Sequence, residues 1–177
     1  MRLNTPNALE KLGKTRLLML DVDGVLTDGS ITYTDRGEEI KTFSAKDGLG
    51  IRMLMDAGVG VCIITGRRSK ALTHRCGNLG ITMVYDGVGD KSAAFDAIIE
   101  DRAIPAAETA AVGDDLPDLP LLRRAGCAIS VADGHEIVRS ASDIVTEQNG
   151  GCGAVRAISD EILRLQGHWE AILAKWQ

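Results

Sequence analysis

Asp21 and Asp23 stand two residues apart directly behind the apolar run Leu17-Leu18-Met19-Leu20, and Gly24 turns the chain just after them. Residues i and i+2 of a strand face the same way, roughly 6.5 Å apart. One carboxylate can therefore attack a phosphorus while the other serves the leaving oxygen. Three further pieces follow in order. Val61-Cys62-Ile63-Ile64 runs into Thr65-Gly66-Arg67, offering a hydroxyl and free backbone N–H groups at a second strand end. Lys91 opens the amphipathic segment 91–102, where an ammonium can offset a phosphate or a nucleophilic carboxylate. Ala110-Ala111-Val112-Gly113 then leads into Asp114, Asp115 and Asp118. Such hard oxygen ligands suit Mg²⁺, which takes one or two carboxylates and keeps waters and substrate phosphate. Each piece alone reads as an acidic strand cap or a surface lysine; the four in this order describe a phosphoryl-transfer site.

The elements that must position them are legible as alternation. Apolar, β-rich runs recur at 17–20, 59–64, 81–85, 109–112, 127–131 and 144–145. Amphipathic segments separate them, at about 48–57 with Asp47 as N-cap, 68–78, 92–102, 119–125, 135–140 with His135 at its start, and 154–165. In the last, Val155, Ile158, Ile162 and Leu165 form one apolar stripe. That alternation predicts an α/β fold, a doubly wound parallel sheet covered on both faces. Asp21, Asp23, Thr65 and Asp114 all fall at carboxyl ends of strands, where open α/β sheets bind ligands. Between Gly24 and Ile64 a helix and a strand leave room for only ~25 further residues, too few for a folded cap domain. What fits is a β-hairpin insertion within about 28–45, with arms at 30–34 and 38–43 and a turn at 35–37. Ile31, Tyr33, Ile40 and Phe43 on it need a surface to pack on, supplied either by the same hairpin of other subunits or by the chain's own body.

Composition sets the bounds. A chain of 177 residues is one domain's worth, 1–177, with the segment 149–177 as a C-terminal tail and helices. A formal net charge of −5 without a basic block argues against nucleic acid as a partner. The cysteines Cys62, Cys76, Cys127 and Cys152 form no C-x-x-C pair, so neither a zinc site nor a disulfide framework is expected and a reduced cytoplasm fits. Residues 1–14 lack the apolar core of a signal peptide, and no stretch approaches a membrane span.

With Asp21 to Gly24 as D-x-D-G, Thr65 to Arg67 as T-G-R, Lys91, and Gly113 to Asp118 as G-D-D-x-x-D, the chain resembles the haloacid dehalogenase-like phosphohydrolase superfamily over nearly its whole length. Lys46-Asp47-Gly48-Leu49-Gly50-Ile51, Arg75-Cys76, Leu79-Gly80-Ile81 and Gly150-Gly151-Cys152-Gly153-Ala154-Val155-Arg156 make it most similar to the small capless sugar-acid phosphatases that act on 3-deoxy-D-manno-octulosonate 8-phosphate in lipopolysaccharide biosynthesis. The chain departs from that pattern at Leu49, where an aromatic residue is usual, and at Cys152, often an arginine. The resemblance implies Mg²⁺ held by Asp21, Asp114 and the backbone carbonyl of Asp23, and a homotetramer built through the hairpin. It also implies that Gly150 to Gly153 folds toward an active site.

The chemistry assigns Asp21 as nucleophile, forming an aspartyl-phosphate, and Asp23 as the acid that protonates the leaving alkoxide and then activates water. Thr65 and the Gly66 N–H would bind phosphate oxygens, and Lys91 would offset charge. Asp115 and Asp118 would divide between a metal-bound water and the orientation of Lys91, with a cap of the helix that begins near Pro117 as the other reading of either. A sugar acid needs a cation for its carboxylate, for which Arg67, Arg75, Lys46 and Arg156 are candidates. Two rivals remain: a nonulosonate 9-phosphate phosphatase, and a non-enzymatic phosphoacceptor or regulatory domain of similar sheet topology. A phosphoacceptor receiver places its phosphorylated Asp on a middle strand before its Thr and Lys, whereas here a second acidic cluster follows both.

Overall fold

The computed structural model describes residues 1–175. The chain begins with β1 (Arg2–Leu3), α1 (Ala8–Gly13) and β2 (Leu17–Leu20), then the hairpin strands β3 (Thr32–Tyr33) and β4 (Glu39–Ile40). It continues through α2 (Ala45–Asp56), β5 (Gly60–Ile64), α3 (Lys70–Leu79), β6 (Met83–Tyr85) and α4 (Lys91–Arg102). The last third holds β7 (Thr109–Gly113), α5 (Leu119–Leu122), β8 (Cys127–Ser130), α6 (Glu136–Ala141), β9 (Ile144–Val145), α7 (Ala154–Leu165) and α8 (Trp169–Ala174).

Seven strands form one sheet in the order β1-β9-β8-β7-β2-β5-β6, parallel except where β1 runs against β9. β2 lies at the centre, with Leu17 to Leu20 paired to Gly60 to Ile63 on one side and to Thr109 to Val112 on the other. From it the chain builds outward to β5 and β6, then returns to start again at β7. That reversal opens a crevice beyond the strands' carboxyl ends. Side chains of β2 alternate between two cores. Leu18 and Leu20 pack with Ile51, Leu54, Ile158 and Ile162 on one face; Leu17 and Met19 pack with Phe95, Ile98, Leu121 and Leu122 on the other. A strand buried on both faces needs every residue apolar, which is why its sequence is a continuous run.

The expected α/β sheet and its strands are present, with no cap domain among the described residues. Two local readings change. Ser44, not Asp47, is the N-cap of α2: its hydroxyl accepts from the Asp47 N–H at 3.3 Å, so the helix starts one turn earlier. Asp47 is buried in the first turn and serves another helix, accepting from Gly153 N at 3.3 Å and Arg156 N at 2.7 Å at the start of α7. Desolvation raises its pKa and those two N–H groups lower it. In α7 the stripe of Val155, Ile158 and Ile162 is buried, but Leu165 is 40% exposed and Leu163 takes its place in the core.

Gly150 to Gly153 packs against the turn that follows Asp21 and Asp23. Gly151 N donates to Val25 O at 2.9 Å, fixing the segment to the turn after β2, and Gly150 N donates to Asp133 Oδ1 at 3.0 Å in the turn after β8. A Cβ on Gly150 would lie 1.7 Å from the Gly24 carbonyl oxygen. Only the missing side chain permits that approach. We therefore expect Gly150→Ala to lower stability by about 3 kcal/mol, a drop of roughly 6–12 °C in melting temperature for a chain of this size. Gly77→Ala, in the exposed interior of α3 with open space at its Cβ, should instead gain up to about 1 kcal/mol. Thermal unfolding of the two variants checks both signs.

Candidate active site

Asp21 leaves the sheet one residue beyond β2 while its N–H still donates to Val112 O at 3.1 Å, so the ladder holds the backbone and releases the side chain at the crevice. The chain then turns over Val22 O, which accepts from the N–H groups of Val25, Leu26 and Thr27 at 3.3, 2.9 and 3.0 Å. Gly24 in that turn has φ +92°, and a Cβ there would meet Asp114 Oδ2 at 2.1 Å. Glycine thus supplies both the left-handed turn and the room for Asp114.

At the floor, Lys91 Nζ donates to Asp21 Oδ1 at 2.6 Å and to Asp118 Oδ1 at 2.5 Å, with its side chain 7% exposed. Asp118 Oδ2 accepts from the N–H groups of Asp114 and Asp115 at 2.9 and 3.2 Å. Asp118 is therefore both the orienting partner of Lys91 and part of a capping box with Asp115, the two readings its position allowed. One ammonium does not balance the acids around it. Burial, then the charge of Asp118, raise Asp21 to about 6. Burial, Asp118 and Asp21 raise Asp114 to about 7. Burial works against the charge on Lys91, but Asp21 and Asp118 outweigh it and its pKa rises.

The opposite wall comes from the end of β5. Thr65 is buried, its N–H bonded to Tyr85 O at 3.0 Å and its Oγ1 accepting from Arg67 N at 3.3 Å. Asp21, Asp23, Thr65, Gly66, Arg67, Lys91, Asp114, Asp115 and Asp118 line one cleft of about 380 Å³. The hairpin closes its rim from the same chain. Arg67 Nη2 donates to Glu39 Oε2 and, at 3.3 Å, to Tyr33 Oη, while Lys41 Nζ bonds Asp23 Oδ1. Lys41 and Glu39 are the site residues that sequence reasoning missed. Their signal was the alternation Glu39-Ile40-Lys41, which turns both charges of the arm away from Ile40.

Three predicted substrate contacts are not brought to this cleft. Arg75 donates to Ser44 O at 2.8 Å and lies over the Phe43 ring, where it helps to seat the hairpin's base. Lys46 is exposed on the first turn of α2. Arg156 pairs with Asp160 at 2.7 Å, one turn along α7. His135, which begins α6, caps it through Nδ1, accepting from Ile137 N at 3.2 Å.

A family profile described as haloacid dehalogenase-like hydrolase matches residues 81–158. The chain is 44% identical over 163 residues to the 3-deoxy-D-manno-octulosonate 8-phosphate phosphatase of Salmonella typhimurium, covering 92% of this chain and 87% of that protein. The chain belongs to the haloacid dehalogenase-like hydrolases. It superimposes with a TM-score of 0.95, at 40% identity, on the 3-deoxy-D-manno-octulosonate 8-phosphate phosphatase of Moraxella catarrhalis, solved with magnesium ion, phosphate ion and a KDO molecule; 98% of this chain and 100% of that chain are covered. The cobalt-bound Haemophilus influenzae enzyme aligns at TM-score 0.88 and 42% identity, covering 91% of this chain and 94% of that one.

The hydrolase cleft fits a divalent cation. Carboxylate oxygens of Asp21, Asp114 and Asp118 lie within 4.8 Å of one another, and burial, followed by the repulsion among these acids, raises Asp21 and Asp114 despite Lys91. Both groups hold protons more tightly folded than unfolded. Their stabilisation is complete below about pH 4, the ordinary carboxylate value, and is lost as pH rises through 6 to 7. In EDTA the melting temperature should therefore fall between pH 5 and pH 8. Added Mg²⁺, which binds the ionised acids, should raise it more at pH 8 than at pH 5. A Mg²⁺ shift that is equal at both values would contradict this account of the charges.

Proposed function

We propose that the protein is a Mg²⁺-dependent phosphatase that hydrolyses 3-deoxy-D-manno-octulosonate 8-phosphate to the free sugar acid and phosphate. The observation that carries the reading is the buried Asp21–Lys91–Asp118 network facing Thr65 and Gly66 across a cleft, in a chain 44% identical to an enzyme of that name. Asp21 and Asp114, with the backbone carbonyl of Asp23, would hold Mg²⁺. Bound there, the cation lets an anionic carboxylate approach an anionic phosphate and neutralises charge on a phosphate oxygen.

The chain's residues do the rest. Asp21 attacks the phosphorus as the bond to the sugar oxygen breaks, and Asp23 delivers a proton to that oxygen, leaving an aspartyl-phosphate and the free sugar acid. Asp23 then takes a proton from a water whose oxygen attacks the same phosphorus. The bond to Asp21 breaks, phosphate leaves, and both acids return to their starting forms. Thr65 Oγ1 and Gly66 N–H steady the phosphate, Lys91 keeps Asp21 aimed, and Asp115, which lines the cleft, would hold a water of the bound cation. Arg67 takes the sugar's carboxylate, the planar anion its guanidinium suits.

The hairpin supports assembly into a homotetramer. Phe43 packs on the chain's own core, whereas Ile31, Tyr33 and Ile40 remain 51, 58 and 49% exposed. Such a patch on a marginal two-stranded element calls for a partner. Free cysteines throughout suit a cytoplasmic enzyme of lipopolysaccharide-precursor synthesis. Among the described residues no helix is long and apolar enough to cross a membrane.

Assayed against phosphorylated sugars and sugar acids, the protein should turn over 3-deoxy-D-manno-octulosonate 8-phosphate best. EDTA should stop it, and Asp21→Asn should reduce it to background while melting normally. Preference for a nonulosonate 9-phosphate, or wild-type activity in Asp21→Asn, would overturn the substrate or the nucleophile respectively. Ile31→Glu with Tyr33→Glu should convert a sedimenting tetramer into smaller species; a wild-type monomer at micromolar concentration would refute the assembly.

A further inference from the structure

Lys41 is a charged side chain that the chemistry above does not use, and it is 2% exposed. It follows β4 and carries its ammonium back from the hairpin onto Asp23 Oδ1, with Glu39 Oε1 3.3 Å away. Taking an ammonium out of water costs several kcal/mol unless partners offset it. A lysine that merely tethered the hairpin could do so with its head in solvent. The other oxygen of Asp23, Oδ2, is buried and has no hydrogen-bond partner among the described residues. Arg67 Nε stands 3.6 Å from it, beyond hydrogen-bond range, while Arg67 Nη2 is engaged by Glu39 and Tyr33. Asp23 is thus held through one oxygen only.

We propose that Lys41 is a positioning residue for Asp23, fixing which of its two oxygens handles the proton. This rests on the acid–base role given to Asp23 above. A protonated carboxyl group has one oxygen that only accepts and one that donates. An N–H donated by Lys41 to Oδ1 makes Oδ1 the acceptor and leaves the transferable proton on Oδ2. In the first step that proton passes from Oδ2 to the sugar oxygen as the phosphorus–oxygen bond breaks, the electron pair of that bond staying on the sugar oxygen. In the second, Oδ2 takes a proton from the attacking water. Lys41 keeps its own protons throughout. Because it reaches Asp23 from the hairpin, the hairpin's placement and the competence of the acid are one structural fact.

The test separates leaving groups. The sugar oxygen departs as an alkoxide that needs a proton, whereas p-nitrophenolate departs without one. Release of each is followed in a single turnover with Mg²⁺, comparing wild type, Lys41→Met, Lys41→Arg and Asp23→Asn. Lys41→Met should slow release of the sugar acid from 3-deoxy-D-manno-octulosonate 8-phosphate by about 10- to 100-fold and release of p-nitrophenolate by less than about 3-fold. KM should stay within about 2-fold in both cases, and Lys41→Arg should recover most of the loss, as expected when a charged donor is restored. Lys41→Gln carries the same comparison if the methionine variant does not fold. Equal loss for both esters, a change confined to KM, or no loss would overturn the proposal. If Asp23→Asn shows the leaving-group bias and Lys41→Met does not, the positioning role alone is wrong. If Asp23→Asn shows no bias, the acid–base assignment fails and takes the proposal with it.

Discussion

The Lys91 ammonium bonds Asp21 and Asp118 at once at 2.6 and 2.5 Å, almost out of contact with water, and the rest of the cleft is arranged around it. Removing Lys91 would leave two buried carboxylates uncompensated, which is strongly destabilising, whereas loss of the Asp21 charge leaves Lys91 paired with Asp118. The bond to Asp21 aims the proposed nucleophile. The bond to Asp118 locks a carboxylate whose second oxygen gathers the N–H groups of Asp114 and Asp115, shaping the loop after β7. One side chain at the start of α4 thereby joins the ends of β2 and β7. Burial together with the remaining excess of acids raises the pKa values of Asp21 and Asp114, and that excess of negative charge suits the site to a cation and then to a phosphate, rather than to a phosphate directly.

Backbone packing holds this arrangement still. The turn after β2 could not pass Asp114 with any side chain at Gly24, and it is backed by Gly150 and Gly151, whose own side chains would strike Gly24 and Thr27. Asp47 finishes the support by holding the start of α7 from α2. Catalytic groups at strand ends need such a second layer, because small misplacements of a reacting atom cost large factors in rate.

How much was legible in the sequence follows from where each interaction partner lies. β2 and α7 were legible to the residue because a doubly buried strand is a continuous apolar run and a docked helix carries a stripe. The floor of the cleft was legible because Asp21, Lys91 and Asp114 each sit at the joint of an apolar run or a helix. Lys41 was not, since nothing near it in sequence reveals that its partner is Asp23, 18 residues away. Asp47 looked like a local cap because its real ligands lie more than 100 residues downstream, 106 and 109 away. β1 was missed because it is two exposed residues at a sheet edge with no periodicity to read. The backbone that Gly150 and Gly151 pack against was not legible, since a glycine run reads the same whether it is free or packed against another backbone.

The central claim is that phosphate passes through a covalent bond to Asp21. Wild-type protein is mixed with 3-deoxy-D-manno-octulosonate 8-phosphate and Mg²⁺, quenched in acid within one turnover, digested and mapped by mass spectrometry. The account predicts a phosphoryl group on the peptide that carries Asp21, located on that residue, appearing as sugar acid is released and decaying as phosphate forms. Phosphate released with no phosphorylated peptide at any time, or the phosphoryl group on another residue, would contradict it.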